Sequence, residues 1–180
     1  YDIGCSLGAS SFSILQGASK AKVIAIDKSE AMIDECERIF KNYNNPSSLI
    51  FLNEDIIESD LQNAYLIVEN YLIQFLELEE RDILFKKIFK ALIPHGILIL
   101  SGKVHYENKF ENQRIINTHH LFKLANGYSD LEISGKRDSL EGILKTECEE
   151  EHILRARKVG FAKAEKILSN LNFRTFVFSK

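Results

Sequence analysis

Short, unbroken apolar runs alternate with stretches of helical periodicity along the first two-thirds of the chain. Val23-Ile24-Ala25-Ile26, Leu49-Ile50-Phe51-Leu52, Leu66-Ile67-Val68 and Ile97-Leu98-Ile99-Leu100 are such runs. Each gives way to polar residues: Asp27, Asn53-Glu54-Asp55, Glu69-Asn70 and Ser101-Gly102-Lys103. A run with no polar alternation suits a parallel strand covered on both faces. Between the runs, Met32, Ile33, Cys36, Phe40 and Tyr43 recur at helical spacing after Ser29, a residue suited to a helix N-cap. Asn44-Asn45-Pro46 predicts the stop of that helix. Residues 79–92 repeat the pattern through Ile83, Leu84, Ile88 and Leu92, and Pro94 and Gly96 predict its end. Strands alternating with helices imply right-handed crossovers and a doubly wound, mostly parallel sheet.

The last third breaks the rhythm. Glu149-Glu150-Glu151 opens a helical stretch that carries Arg155, Arg157 and Lys158 near its end and stops at Gly160-Phe161. Acid at the start and base at the end complement the helix dipole, which accounts for the acidic run without a ligand. Two strand-like runs follow, 164–168 and 173–178, joined by Ser169-Asn170-Leu171-Asn172. They predict an antiparallel pair at the sheet edge. Residues 104–148 fit neither rhythm; a polar, helix-prone connection of that length reads as a helical insertion that works as a lid or a binding element.

Composition narrows the class. With 180 residues the chain reads as one domain, 1–180. The net charge of −3 lacks the basic footprint of a dedicated nucleic-acid binder. No apolar run is long enough for a membrane helix, and no signal-peptide pattern is present, so a cytoplasmic setting is expected. Cys5, Cys36 and Cys148 are scattered, which disfavours a disulfide framework, and no metal site is expected. The chain starts at Tyr1 without a Met and is read as a domain cut off upstream.

The candidate chemistry sits at the front. Tyr1-Asp2-Ile3-Gly4-Cys5-Ser6-Leu7-Gly8 reads as a strand end, a tight glycine turn and the start of a helix. Glycine lets backbone approach a ligand closely. In open α/β sheets ligands bind beyond the carboxyl ends of the strands. Asp27 closes the next strand at the place where an acid bonds ribose hydroxyls, and Asp55 and Asn70 close two more.

The glycine loop, the Asp27-Lys28-Ser29-Glu30-Ala31-Met32-Ile33 segment and the Leu92-Ile93-Pro94-His95-Gly96-Ile97 turn resemble class I S-adenosylmethionine-dependent methyltransferases. Three further segments sharpen the resemblance to the carboxy-S-adenosylmethionine synthase family: Gln74-Phe75-Leu76-Glu77, the stretch from His119-His120 to Tyr128-Ser129, and Leu131-Glu132-Ile133-Ser134 with Lys136-Arg137. The resemblance implies a Rossmann-like sheet of seven strands with a C-terminal antiparallel hairpin. It also implies S-adenosylmethionine and carboxy-S-adenosylmethionine as ligands, prephenate as the second substrate and phenylpyruvate as its product. The product would serve wobble-uridine modification in tRNA through a downstream carboxymethyltransferase, without direct tRNA binding by this chain. A homodimer is implied as well.

By matching positions, Gly4, Cys5 and Ser6 would contact the methionine part, Asp27 and Lys28 the ribose, and Asp55 and Ile56 the adenine. Asn70 would line the methionyl end. Arg137 would bind the carboxylate that distinguishes the product, as a guanidinium fork suits a carboxylate. The residues alone would also allow Arg137 to be a surface ion pair with its charged neighbours. Cys5 reads as a small packing residue and His119-His120 as insert packing or substrate-side groups. Tyr128 stands between a pocket role and a core or dimer contact. Two departures from the family pattern are Gly102, where an acid is expected, and Leu124, where a base is expected. The family also has an N-terminal segment that folds over the ligand, and its absence would leave an open site. A conventional methyltransferase and a non-catalytic carrier of the modified cofactor are the alternative readings.

Overall fold

The structure is a computed structural model, and it describes residues 1–41 and 48–180. In chain order the elements are β1 (Asp2–Ile3), α1 (Ala9–Gly17), β2 (Val23–Asp27), α2 (Glu30–Phe40), β3 (Leu49–Asn53) and β4 (Ala64–Asn70). A 3-10 turn, Ile73–Phe75, leads into α3 (Leu78–Ala91) and β5 (Leu92–Lys103). Then come α4 (Lys109–Ala125), α5 (Asp130–Leu140), α6 (Glu149–Val159), β6 (Lys163–Asn170) and β7 (Phe173–Ser179). The predicted stop of the second helix at Asn44-Asn45-Pro46 lies outside the described residues.

Among the described residues the strands form one seven-stranded sheet in the order β3-β2-β1-β4-β5-β7-β6. β1 pairs in parallel with both β2 and β4, so the chain switches direction across the sheet at β1. That switch point lies next to the glycine turn, where open α/β sheets bind ligands. β7 runs antiparallel between β5 and β6, as the C-terminal runs predict.

The core explains the pattern of apolar runs. Leu84, Phe85 and Ile88 of α3 are buried in one cluster with Leu98 and Leu100 of β5 and Phe176 and Phe178 of β7. Each such side chain contributes about 1.5–3 kcal/mol by leaving water. A second cluster joins Leu15 of α1 and Ile33 of α2 to Val23 and Ala25 of β2.

Three boundaries depart from the sequence pattern. Leu92 belongs to β5 rather than to the preceding helix, and Pro94 lies within the strand. The β4–β5 ladder jumps from Ala64↔Leu92 to Leu66↔Ile97, and His95 there has φ 65. This irregularity keeps a residue without an N–H out of the regular ladder. Ser29 occupies the N-cap of α2, but its side chain makes no capping bond. Its backbone N–H instead donates to Asp27 Oδ1 at 2.9 Å. The acidic start of α6 does more than face a dipole. Glu151 accepts from the Cys148 N–H at 2.7 Å, and Glu149 pairs with Lys166 at 2.7 Å and Arg174 at 2.9 Å.

The segment between β5 and α6 is clipped at its base. Val104 bridges Glu147, the His105 N–H donates to the Glu147 carbonyl at 3.1 Å, and the Lys145 N–H donates to the Gln74 carbonyl at 2.8 Å. Above that base stand α4, capped by Asn108, and α5, started by a capping box between Ser129 and Glu132. No described residue of α4 is buried, and Ile133 is the buried residue of α5. A charged network fixes the base to α3. Fully buried Arg81 donates to Glu147 at 2.6 Å and to the carbonyls of Leu76 and Lys145 at 2.9 and 2.6 Å. Arg155 of α6 completes the network by bonding Glu147 and Asp82.

Candidate functional site

The glycine turn is held from beneath by β2. The N–H groups of Gly4 and Cys5 both donate to the Ile26 carbonyl, at 2.8 and 3.0 Å. Gly4 has φ 69, and a Cβ there would lie 3.1 Å from Leu72 Cβ. Glycine is therefore required twice over, by conformation and by space. Ser6 follows with φ 48, and its N–H donates to Asp27 Oδ2 at 2.9 Å. The Asp27 carboxylate thus holds both the turn after β1 and the first residue before α2. Cys36 donates its thiol to the Ser6 carbonyl at 3.0 Å. Cys5 is buried, and burial pushes its thiol pKa far up, so it packs as a neutral side chain.

A cavity of about 330 Å³ opens beside this turn. Gly4, Ile26, Asp27, Lys28, Glu54, Asp55 and Ile56 line it from the strand ends. Leu72, Phe75 and Leu76 line it from the turn after β4, and Ile143 reaches it from beyond α5. Its size lies at the lower end of small-molecule sites, and its character fits them: mostly apolar walls with a few convergent polar groups. Asp55 is fixed by the Ile57 N–H, which donates to its Oδ1 at 2.9 Å. Lys87 of α3 fixes the same loop from below by donating to the carbonyls of Ile56, Ile57 and Ser59. Glu69 of β4 holds the opposite wall, its Oε1 accepting from the N–H groups of Leu72 and Ile73 at 2.9 and 2.6 Å. Burial pushes the Glu69 carboxyl up to about 8.

Five of the sequence-predicted residues therefore meet in one cavity: Gly4, Asp27, Lys28, Asp55 and Ile56. The others lie elsewhere. Cys5 and Ser6 shape the turn without lining the cavity. Asn70 donates to Ser10 Oγ at 2.8 Å and so ties the end of β4 to α1. Arg137 lies on α5, with 75% of its side chain exposed and its Nε 3.5 Å from Asp138 Oδ1. It lines a second, larger cavity of about 540 Å³ together with Lys103, His119 and Lys123. The turn after α5 stands between the two: Leu140 and Leu144 line the larger cavity and Ile143 the smaller.

Sequence reasoning missed the apolar walls. Leu72 and Ile143 carry no signal beyond being apolar beside polar neighbours. Phe75 and Leu76 stood in a motif singled out for resemblance alone. Tyr128 is 55% exposed and so is no core residue. His120 Nε2 lies 2.9 Å from Asp130 Oδ1, while His119 stands edge-on to Phe173, so the adjacent histidines serve different partners.

Residues 1–96 match a family model described as a methyltransferase domain. The whole chain aligns with the carboxy-S-adenosyl-L-methionine synthase of Klebsiella pneumoniae subsp. pneumoniae at 40% identity, covering 74% of that protein. The chain belongs to the carboxy-S-adenosyl-L-methionine synthase family. The protein of the same name from Escherichia coli O1:K1 / APEC is 41% identical over the same coverage. Among solved structures, human N-acetylserotonin methyltransferase in complex with SAM superposes with a TM-score of 0.67 over 99% of this chain and 46% of its own, at 12% identity. That likeness establishes a class I methyltransferase fold. The seven-stranded, mostly parallel sheet that the resemblance implies is thus the observed fold, shared with that structural neighbour.

Proposed function

We propose that this chain makes carboxy-S-adenosyl-L-methionine from S-adenosyl-L-methionine and prephenate, releasing phenylpyruvate. The observation that carries the reading is the closure of Asp27 on Ser6 beside a cavity that also holds Gly4, Asp55 and Ile56. Adenosine fits that donor set: two carboxylates at the rim to accept from hydroxyl and amino groups, and aliphatic walls for a purine. Bound there, the ligand supplies a sulfonium methyl as the carbon to be carboxylated.

The chain's own residues then bind, orient and exclude water. Asp27 and Lys28 hold the ribose end, Asp55 and Ile56 the purine end, and the turn at Gly4 lets the chain lie close beneath the ligand. Arg137 supplies a guanidinium for the new carboxylate, which fits its place on the wall of the adjoining cavity. The overall conversion balances with one water: prephenate loses carbon dioxide and its ring hydroxyl, and the methyl loses one proton. The product would supply the carboxymethyl donor for wobble-uridine modification through a downstream transferase. Membership of the carboxy-S-adenosyl-L-methionine synthase family supports the first half of this reading.

The test is incubation with S-adenosyl-L-methionine and prephenate, followed by mass spectrometry. The expected result is a nucleoside heavier by one carbon dioxide, with phenylpyruvate in equal amount. Recovery of unchanged S-adenosyl-L-methionine with prephenate intact would overturn the reading. A conventional methyltransferase is the second reading, favoured by the domain match over residues 1–96. It requires Arg137→Ala to spare methyl transfer to an acceptor.

The same reading takes the chain as a cytoplasmic homodimer. Phe110 and Leu131 of the two exposed helices are 82% and 81% exposed, and a second copy would cover them. Sedimentation of the wild type against Phe110→Glu tests that contact.

A further inference from the structure

The larger cavity holds cations that nothing around them neutralises. Lys103 ends β5, while His119 and Lys123 lie one turn apart on α4, and all three line the same 540 Å³ space. Among the described residues neither lysine forms an ion pair, whereas the acid beside Arg137, Asp138, is already engaged by it. Glu141 also lines the cavity and pairs with neither lysine. Charge on any one of the three disfavours charge on the others. Burial lowers the pKa of Lys103, and Lys123 lowers it further. Burial lowers that of His119, and both lysines add to the effect. Like charges gathered in a partly buried space cost free energy unless an anion joins them.

The rest of the lining includes the aliphatic side chains of Ile116, Ile133, Leu140 and Leu144. A ligand that satisfies both kinds of lining has a carboxylate at one end and a hydrocarbon ring at the other. A concave space of this size suits a small organic anion better than a phosphate backbone. An aromatic row runs from the cluster to the end of β4. The His119 ring stands edge-on to Phe173 at 5.2 Å, and Phe173 stands edge-on to Tyr71 at 5.8 Å. Tyr71 directly follows Asn70 at the end of β4, in a left-handed conformation with φ 62. Residues in such conformations store strain where a site needs a fixed shape.

We propose that Lys103, His119 and Lys123 form the subsite for the carboxylate that the carboxyl donor keeps, with its ring against Ile116, Ile133 and Leu144. The inference rests on the functional reading above, since it assigns the second substrate a place. Held there, the donor's other carboxylate is the one that leaves as carbon dioxide.

The test uses the full chain and two variants, Lys123→Gln and Lys123→Arg. Steady-state assays vary prephenate and S-adenosyl-L-methionine separately, and calorimetry measures phenylpyruvate and S-adenosylhomocysteine binding. Loss of one charged hydrogen bond corresponds to roughly a tenfold weakening. The expected result is about a tenfold rise in the prephenate KM and in the phenylpyruvate Kd for Lys123→Gln. S-adenosylhomocysteine affinity should be unchanged, which also verifies folding, and Lys123→Arg should restore most of the loss. A prephenate KM and phenylpyruvate Kd unmoved by Lys123→Gln would overturn the subsite while leaving the functional reading intact. A wild-type chain that binds S-adenosylhomocysteine but consumes no prephenate would overturn the functional reading. The phenylpyruvate measurement then decides the subsite alone: weakening by Lys123→Gln supports it, and no binding by the wild type overturns it.

Discussion

Ser6 donates its backbone N–H to Asp27 Oδ2 at 2.9 Å, which closes the turn after β1 onto the end of β2. The other carboxylate oxygen accepts from the Ser29 N–H at 2.9 Å. One side chain therefore sets two loop conformations at the cavity rim and still offers lone pairs to a ligand. Asp27→Asn can accept through one oxygen only, so one N–H loses its partner. Hydrogen bonds to charged groups contribute about 1.5–3 kcal/mol, so S-adenosylhomocysteine affinity should fall at least about tenfold. Isothermal calorimetry checks this.

Gly4→Ala meets Leu72 at 3.1 Å and needs φ 69. The left-handed conformation alone costs roughly 1–2 kcal/mol for a residue with a Cβ. The thermal midpoint should fall, and ligand affinity should fall with it. Gly135→Ala is the control: it lies in α5 with nothing within 4 Å of the added Cβ. There the substitution should raise stability by about 0.5–1 kcal/mol.

Glu147→Gln leaves two guanidiniums, Arg81 and Arg155, without their shared anion. Burial raises the Glu147 pKa, but bonds from Arg155 and Arg81 outweigh it and hold the carboxyl below the usual carboxylate range. Breaking one partner of a buried pair costs about 3–5 kcal/mol. Chemical denaturation should register a loss of that order. Limited proteolysis should find new cleavage in 140–147, because Arg81 also holds the Lys145 carbonyl.

Buried His152 has neither ring nitrogen hydrogen-bonded among the described residues, and burial lowers its pKa from 6.5 to about 4. In that window the unfolded chain takes up a proton that the folded chain refuses. Stability present above pH 6.5 is therefore lost as pH falls toward 4. The full loss is of order 3 kcal/mol. His152→Leu should flatten the stability profile over this window. An unchanged slope in urea melts would show that the histidine does not carry it.

The alternation of apolar runs and helical stretches was enough to read the order of strands and helices, because parallel strands buried on both faces leave no polar residue inside the run. Asp27 was legible for a related reason: it is a carboxylate placed where the apolar run stops. Pro94 rightly marked the end of α3, which stops at Ala91, but the early start of β5 around it was not legible, because the ladder irregularity that accommodates the proline depends on β4. Ser29 sits at the cap as read, but its side chain caps nothing: the Met32 N–H that it would have served donates to the Ser29 carbonyl at 3.0 Å. The larger cavity was out of reach of local pattern altogether. Lys103, His119 and Arg137 are far apart along the chain, and they meet only because the segment between β5 and α6 folds back on its own base.

That base separates the two helices from the rest of the sheet. The bridge from Val104 to Glu147, with the Arg81 network under it, returns the chain to the sheet whatever stands above. The two helices can therefore change in sequence while the strand-end lining of the smaller cavity, from Gly4 to Ile56, stays as it was.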